Sequence, residues 1–252
     1  MKRLFLLPVA ALALSASTVT DTNFISQVYL DVLGRPVDPA GLSAGLAYLS
    51  SNSPQNYALT ILDSTEYRTD LVGDYYQSYL GRTPGPTEVS DFVTLLGSGG
   101  TDQQGQANVL GSAEYFADQG GNDTNFVKSL FSTLLNRPAT FGEVSLYVNL
   151  LTTTTTTRSG VASDILLTTE YEQDLLNSYL QQYLHRGFAS PDSVLLLQLE
   201  ANIANEQVQS EILGSPAYYN LAQQEQAPEP ATWTLAGASL VLLGFAVRRQ
   251  AL

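Results

Sequence analysis

The sequence has 252 residues, of which 24 are acidic and 11 basic, with one histidine and no cysteine. The lack of cysteine excludes disulfides, thiolate zinc sites and iron–sulfur clusters, and one histidine excludes a multi-histidine metal site. The formal net charge of −13 argues against nucleic acid as a partner, because phosphate binding requires clustered lysine and arginine.

The N-terminus has the pattern of a secretory signal peptide. Lys2 and Arg3 precede an apolar run from Leu4 to Leu14, and small residues follow it. A short cationic region, an apolar stretch of this length and small residues are typical of such a signal. We therefore predict a signal peptide over residues 1–17 and export of the chain.

The central region contains two sequence elements that each recur four times. The first is an apolar helix end followed by an arginine, and these arginines are 47 to 55 residues apart. The second begins 26 to 28 residues after each arginine and contains an aliphatic pair and a tyrosine. The recurrent residues are Arg35, Arg82, Arg137 and Arg186 in the first element, and Tyr67, Tyr115, Tyr171 and Tyr218 in the second.

Each recurrence has the signals of helices rather than strands. Gly34 is a natural helix stop, Asp38-Pro39 and Ser190-Pro191 are candidate helix starts, and Thr140 to Glu143 has capping-box spacing. The run Thr152–Thr157 is β-prone but is better interpreted as a loop. We predict an all-α fold of four helical repeats, arranged as two small bundles or one short stack.

The glycine-containing loop after residue 119 is the best internal boundary. It divides the predicted repeats into one pair over 21–120 and a second pair over 121–222. A linker and sorting or anchor segment would then occupy 223–252.

A residue that recurs once per structural unit usually holds that unit together. We therefore expect the four arginines to bind helix-terminal carbonyls or to pair with Glu66, Glu114 or Glu170, and the four tyrosines to lie in the core. The alternative is that the guanidinium groups clamp a carboxylate or an acidic sugar.

No residue pattern predicts a catalytic centre. His185 follows a helix, and no nucleophile motif accompanies it. Calcium bound by Asp38, or by Asn122 and Asp123, is an alternative, although the residue alternation of an EF-hand loop is absent. We predict no catalytic residue, no metal site and no cofactor.

The C-terminal region has the pattern of a membrane anchor. Pro228-Glu229-Pro230 precedes an apolar segment from Ala231 to Val247, and Arg248 and Arg249 follow. Seventeen helical residues extend about 26 Å, just short of a hydrocarbon core of roughly 30 Å. We predict a transmembrane helix with the terminal arginines on the cytoplasmic side.

This order of motif, apolar segment and arginines resembles the PEP-CTERM sorting signal of Gram-negative bacteria. The resemblance implies cleavage near Pro228-Glu229-Pro230 by an exosortase at the inner membrane. It also implies release to, or attachment at, the outer surface of an exopolysaccharide-producing bacterium.

The segment from Val28 to Leu42 resembles the signature of domain-of-unknown-function family 4214, through its tyrosine, two leucines, Gly-Arg, Pro, Asp and Gly-Leu. That resemblance implies a helical module of large surface, S-layer-like and adhesin-like proteins with no established reaction. A weaker resemblance links the same pattern to phycobilisome linker domains.

Together these observations predict an exported, non-enzymatic protein of the cell surface or extracellular matrix. Its partners would be the exosortase, and exopolysaccharide or other surface proteins of a biofilm. The alternative is a secreted, glycoside hydrolase-like enzyme that acts on polysaccharide through a carboxylate pair.

Overall fold

The structure is a computed structural model that describes residues 9–226, with side chains from residue 18. This part of the chain consists of helices and turns and contains no strand, so the all-α prediction is confirmed. The helices are α1 Val9–Leu33, α2 Pro39–Leu49, α3 Pro54–Leu62, α4 Thr65–Leu80, α5 Pro86–Gly97, α6 Asp102–Leu110, α7 Ala113–Asp118, α8 Asp123–Leu134, α9 Phe141–Thr153, α10 Arg158–Leu166, α11 Thr169–Leu184, α12 Ser193–Glu200, α13 Asn205–Leu213 and α14 Pro216–Glu225. A 3-10 turn, Ser190–Asp192, precedes α12.

The predicted terminal segments lie largely or wholly outside these residues. Helix α1 begins within the predicted signal peptide and continues without a break to Leu33. The predicted transmembrane segment from Ala231 to Val247 is outside the described residues. Between residues 9 and 226, no helix combines the length and the apolar character that membrane spanning requires.

Helix starts follow the capping residues in the sequence. Asp38 accepts from the N–H groups of Ala40 and Gly41, and Thr140 and Glu143 form the predicted capping box. The helix start predicted at Ser190-Pro191 is wrong by one residue, because the N-cap residue of the 3-10 turn is Ala189. The Asp192 carboxylate bonds the Ala189 N–H, which begins the 3-10 turn one residue earlier.

Four helix ends have a residue in the left-handed conformation directly before an arginine. The φ angles are +62° at Gly34, +65° at Gly81, 50° at Asn136 and 51° at His185. Glycine adopts this conformation without the steric cost of a Cβ, and asparagine tolerates it. The reversal directs each following arginine back across the end of its own helix.

The largest core cluster joins helices that are distant in sequence. Phe24, Ile25 and Val28 of α1 and Leu62 of α3 are fully buried against residues of α11, α13 and α14. The members from those later helices include Leu176, Leu180, Val208, Leu213 and Tyr218. A second cluster joins α6 to α8 and α10 through Leu110, Phe126, Leu130, Ile165 and Leu166.

Both clusters contain residues from either side of the boundary predicted after residue 120. Helix α3 packs on α13, and α6 packs on α10, so the first predicted repeat pair contacts the second in two equivalent ways. The division into 21–120 and 121–222 remains a prediction from sequence. Part of the buried apolar surface therefore lies between these two segments, whereas the cluster of Val72, Phe92 and Leu96 lies within the first.

Candidate functional site

The recurrent arginines lie where three chain segments meet. Arg35 follows α1 and contacts Glu66, which is in the first turn of α4. Its Nε donates to Oε1 at 2.5 Å, and its terminal nitrogen donates to Oε2 at 2.8 Å. The same two-bond geometry joins Arg82 to Glu114, with both distances 2.6 Å, and Arg137 to Glu170, at 2.6 and 2.8 Å.

Two of these arginines also hold a second glutamate, which was not among their predicted partners. Arg82 bonds both carboxylate oxygens of Glu88 at 2.8 and 2.9 Å, and Arg137 bonds Glu143 at 2.8 and 3.1 Å. Each glutamate also accepts a backbone N–H at the start of its own helix. An acidic residue six positions after the arginine is the signal that could have revealed this pairing.

Arg186 departs from the pattern at one of its two partners. It bonds the Asp192 carboxylate at 2.7 and 2.8 Å, but Ala217 occupies the position that Glu66, Glu114 and Glu170 have in the other copies. This cluster therefore fixes the turn before α12 without reaching a later helix.

An aromatic ring and a carbonyl complete three of the clusters. The guanidinium carbon lies 4.9 to 5.1 Å from the ring centre of the residue six positions earlier, a cation–π distance. Those rings are Tyr29, Tyr76 and Phe131. A terminal nitrogen of each arginine also donates to the carbonyl of the next residue, at 3.2 to 3.3 Å.

The charge pairing changes the titration of the glutamates. Hydrogen bonds from Arg82 lower the pKa of Glu88 to about 2, and hydrogen bonds from Arg137 lower the pKa of Glu143 to about 2. The pKa values of Glu66, Glu114 and Glu170 are lowered by the same cause. These carboxylates are ionised at neutral pH, which suits ion pairing and does not suit proton donation.

The four recurrent tyrosines were predicted to lie in the core, and they differ in how far they are buried. Tyr115, Tyr171 and Tyr218 are buried, whereas Tyr67 is half-buried. Each hydroxyl lies at hydrogen-bond distance from one polar side chain. The pairs are Tyr67 with Gln209, Tyr115 with Thr133, Tyr171 with Gln106, and Tyr218 with Asp31.

A buried polar network lies between α4, α6 and α13, and it was not among the predicted sites. The Asp102 carboxylate is 3% exposed and accepts from the Tyr75 hydroxyl at 2.5 Å and from the Asn205 amide at 2.9 Å. Gln103 donates to Asn205 at 2.8 Å. Polar residues at the starts of α6 and α13 resemble solvent-exposed caps in sequence, so only the tertiary packing reveals their burial.

The remaining sequence candidates have structural partners. His185 Nε2 lies 2.7 Å from Glu225, and this contact raises the pKa of the histidine. The side chains of Asp38 and Asn122 cap α2 and α8, and Asp123 is the first residue of α8. In the described part of the chain, no three side chains of metal-binding type are grouped so that they could hold an ion.

Three cavities in the described part of the chain lie at the surface between helices. One of about 340 Å³ between α4, α5 and α6 is lined in part by Tyr76, Glu88, Asp91 and Phe92. Glu88 is already bound to Arg82 there. Two others lie between α8 and α9 and share Lys128 and Ala139.

Comparison with known proteins identifies one region of the chain. Residues 226–250 match the PEP-CTERM protein-sorting motif. The motif indicates an exported protein that an exosortase processes through a membrane-anchored intermediate. Pro228, Glu229, Pro230, Arg248 and Arg249 fall within the match and outside the described residues.

No curated protein and no solved structure matches the chain. The resemblance of the helical body to domain-of-unknown-function family 4214 and to phycobilisome linkers therefore remains a prediction from the residues that carry it.

Proposed function

We propose that the protein is a non-enzymatic component of the cell surface or extracellular matrix of a Gram-negative bacterium. Its helical repeats would serve as a structural or interaction module outside the cell. The observation that carries the proposal is the sorting motif at residues 226–250.

The chemistry of the described carboxylates supports a non-catalytic body. A glycosidase-like pair needs one carboxyl of raised pKa and one ionised carboxylate, both open to substrate. Here burial raises the pKa of Glu172 and Glu206 to about 7, but both side chains are buried. Glu88, which lines a cavity, is ionised and bound to Arg82.

The arginine clusters support the same interpretation. Each guanidinium of Arg35, Arg82 and Arg137 is engaged by a carboxylate, a carbonyl and, in cation–π geometry, a ring. A guanidinium with these partners has few donors left for an acidic sugar. The clusters fix helices relative to one another and leave ligand binding to other surfaces.

The sorting step is tested by replacing Pro228, Glu229 and Pro230 with alanine in the native host. We expect the variant to keep its C-terminal segment and stay in the membrane fraction, because the processing enzyme no longer recognises it. Immunoblots of membrane, surface and medium fractions measure this. Arg248→Lys with Arg249→Lys is the control, since it keeps the terminal charge and should be processed normally.

Unchanged size and release of the alanine variant would contradict exosortase sorting. Hydrolysis of a purified polysaccharide by the full-length chain, lost on substitution of specific carboxylates, would contradict the non-enzymatic role.

A further inference from the structure

A groove lies between α8 and α9 on the surface of the described body. It consists of two adjoining cavities of about 530 and 520 Å³, within the range of small-molecule sites. Polar side chains line both cavities, and the second cavity also has several apolar ones. The lining includes Lys128, Ser132, Asn136, Ala139, Phe141 and Val148.

Phe141 has a position and an exposure that packing does not explain. It is the first residue of α9, and 89% of it is exposed. The corresponding first residues of α2 and α5 are Pro39 and Pro86, and proline is favoured at that position. An exposed ring in place of a favourable proline provides a flat apolar surface to a molecule outside the fold.

Lys128 is a second departure from the other copies. It lies nine residues before Arg137, whereas Ser26, Gly73 and Asn177 lie nine residues before the other recurrent arginines. Its side chain is exposed, and within residues 18–226 no carboxylate forms an ion pair with it.

The groove is also free of carboxylates, although the chain has 24 acidic residues. Lys128 and Arg137 are the charged residues that line the two cavities. Arg137 is held by Glu143 and Glu170. Lys128 therefore provides a cation that complements one negative group, about where the two cavities join.

We propose that this groove binds an acidic polysaccharide, with a uronate carboxylate on Lys128 and the apolar face of a sugar ring on Phe141. Hydroxyls of the same sugars are in reach of Ser132, Asn136 and Ser145. Because the chain carries a net charge of −13, it repels dense polyanions, so the preferred polymer has widely spaced carboxylates. This inference rests on the proposed function and names the partner class of the module.

The test uses the full-length chain, purified in a neutral detergent, and three oligosaccharides of equal length. One carries a uronate at every second sugar, one carries a uronate at every sugar, and one is neutral. Titration calorimetry should give the tightest binding for the first. Phe141→Ala and Lys128→Ser should each weaken it by about tenfold, equivalent to ~1.4 kcal/mol.

Leu146→Ala is the matched control, because Leu146 is 55% exposed on the same helix and lines neither cavity. This variant should bind as the unsubstituted chain does. Circular dichroism melts should show that all three variants keep the fold, since Phe141 and Lys128 are both exposed.

Three results would overturn the proposal. They are no binding of the spaced uronate polymer, equal binding of the neutral oligosaccharide, or unchanged binding by Phe141→Ala and Lys128→Ser. Self-association in sedimentation experiments that is lost on Phe141→Ala would instead assign the groove to a second copy. Failure here is distinct from failure of sorting, because the purified chain is tested without the host's processing machinery.

Discussion

At the scale of single residues, the arginine after a helix end connects chain segments that the sequence separates. The guanidinium of Arg82 bonds Glu88 at the start of the next helix and Glu114 at the start of α7. Planar two-bond geometry to a carboxylate is specific to arginine. The cluster therefore sets the relative positions of three helices while it remains partly exposed.

We predict that Arg82→Ala lowers the melting temperature more than Arg35→Ala does. Arg82 has two bidentate glutamates, whereas Arg35 has Glu66 and a more distant contact to Asp38 at 3.7 Å. Circular dichroism melts of the two variants and the parent measure the difference.

The substitution Arg82→Lys distinguishes the effect of the positive charge from the effect of the paired hydrogen bonds. Lysine keeps the charge but cannot form paired bonds to two carboxylates, so this variant should melt between the parent and Arg82→Ala. Equal melting temperatures for all four proteins would show that the clusters do not stabilise the fold.

At the scale of helices, α6 approaches α10 and α3 approaches α13 very closely. A Cβ at Gly111 would clash with the backbone nitrogen of Ser159, and one at Gly214 would lie 2.5 Å from the Cα of Gln55. Backbone atoms cannot move aside as a flexible side chain can. Glycine at these two positions therefore allows the helices to pack.

We predict that Gly111→Ala destabilises the protein by about 1–3 kcal/mol, the usual cost of overpacking. Gly73→Ala is the matched control, because nothing lies within 4 Å of a Cβ placed there in α4. It should stabilise the protein by about 0.5–1 kcal/mol through helix propensity. Denaturant unfolding measures both changes, and a harmless Gly111→Ala would contradict the close packing.

Local features of the helices could be predicted from sequence, and long-range ones could not. The stop at Gly34, the cap at Asp38 and the capping box at Thr140 depend on neighbouring residues, so their signals are contiguous. The packing of α3 on α13 depends on residues about 150 positions apart, for which one sequence carries no pairing signal.

The same distinction between local and long-range features explains which residues of the candidate site could be predicted from the sequence. The arginines and tyrosines could be found because they recur at a near-constant spacing. Asp102 and Asn205 could not, because polar residues near helix starts are usually solvated, and their burial results from the contact of α6 and α13 regions. The exposure of Phe141 could not be predicted either, because it depends on which other helices pack against α9.

At the scale of the whole molecule, two kinds of carboxyl affect the stability of the fold in opposite ways as the pH changes. One kind is buried, and the other is paired with arginine. Burial raises the pKa of Glu206 and Glu172 from 4.5 to about 7, so their protonated forms favour the folded state. That contribution is complete below pH 4.5 and is lost as the pH rises through about 7. Arginine lowers the pKa of Glu88 and Glu143, whose contribution is instead lost as the pH falls from 4.5 through about 2.

We therefore predict maximal stability in mildly acidic solution, near the ordinary glutamate pKa. Glu206→Gln should be more stable than the parent at about pH 8, because a neutral amide replaces a buried charge, and should lose much of this advantage at about pH 5. Urea unfolding at the two pH values measures the difference. Asp164→Asn, a change at an exposed side chain, is the control; a Glu206→Gln variant with the parent's pH dependence would contradict the prediction.

The sorting motif indicates that the chain is exported, and we propose that its helical body acts as a module outside the cell. If residues 1–17 and the C-terminal segment are removed on export, the mature body loses Lys2, Arg3, Arg248 and Arg249 and becomes more acidic. Most of its remaining cations pair with carboxylates in the described body. Because this body is strongly acidic, we expect it to bind any partner through local contacts rather than through its overall charge.

Intact mass spectrometry of the protein recovered from the surface or medium of its native host tests the central claim most directly. We predict a mature chain that begins near residue 17 and has lost the apolar segment after Pro228-Glu229-Pro230. A surface form that keeps Arg248 and Arg249 at its C-terminus would contradict exosortase processing and, with it, the proposed function.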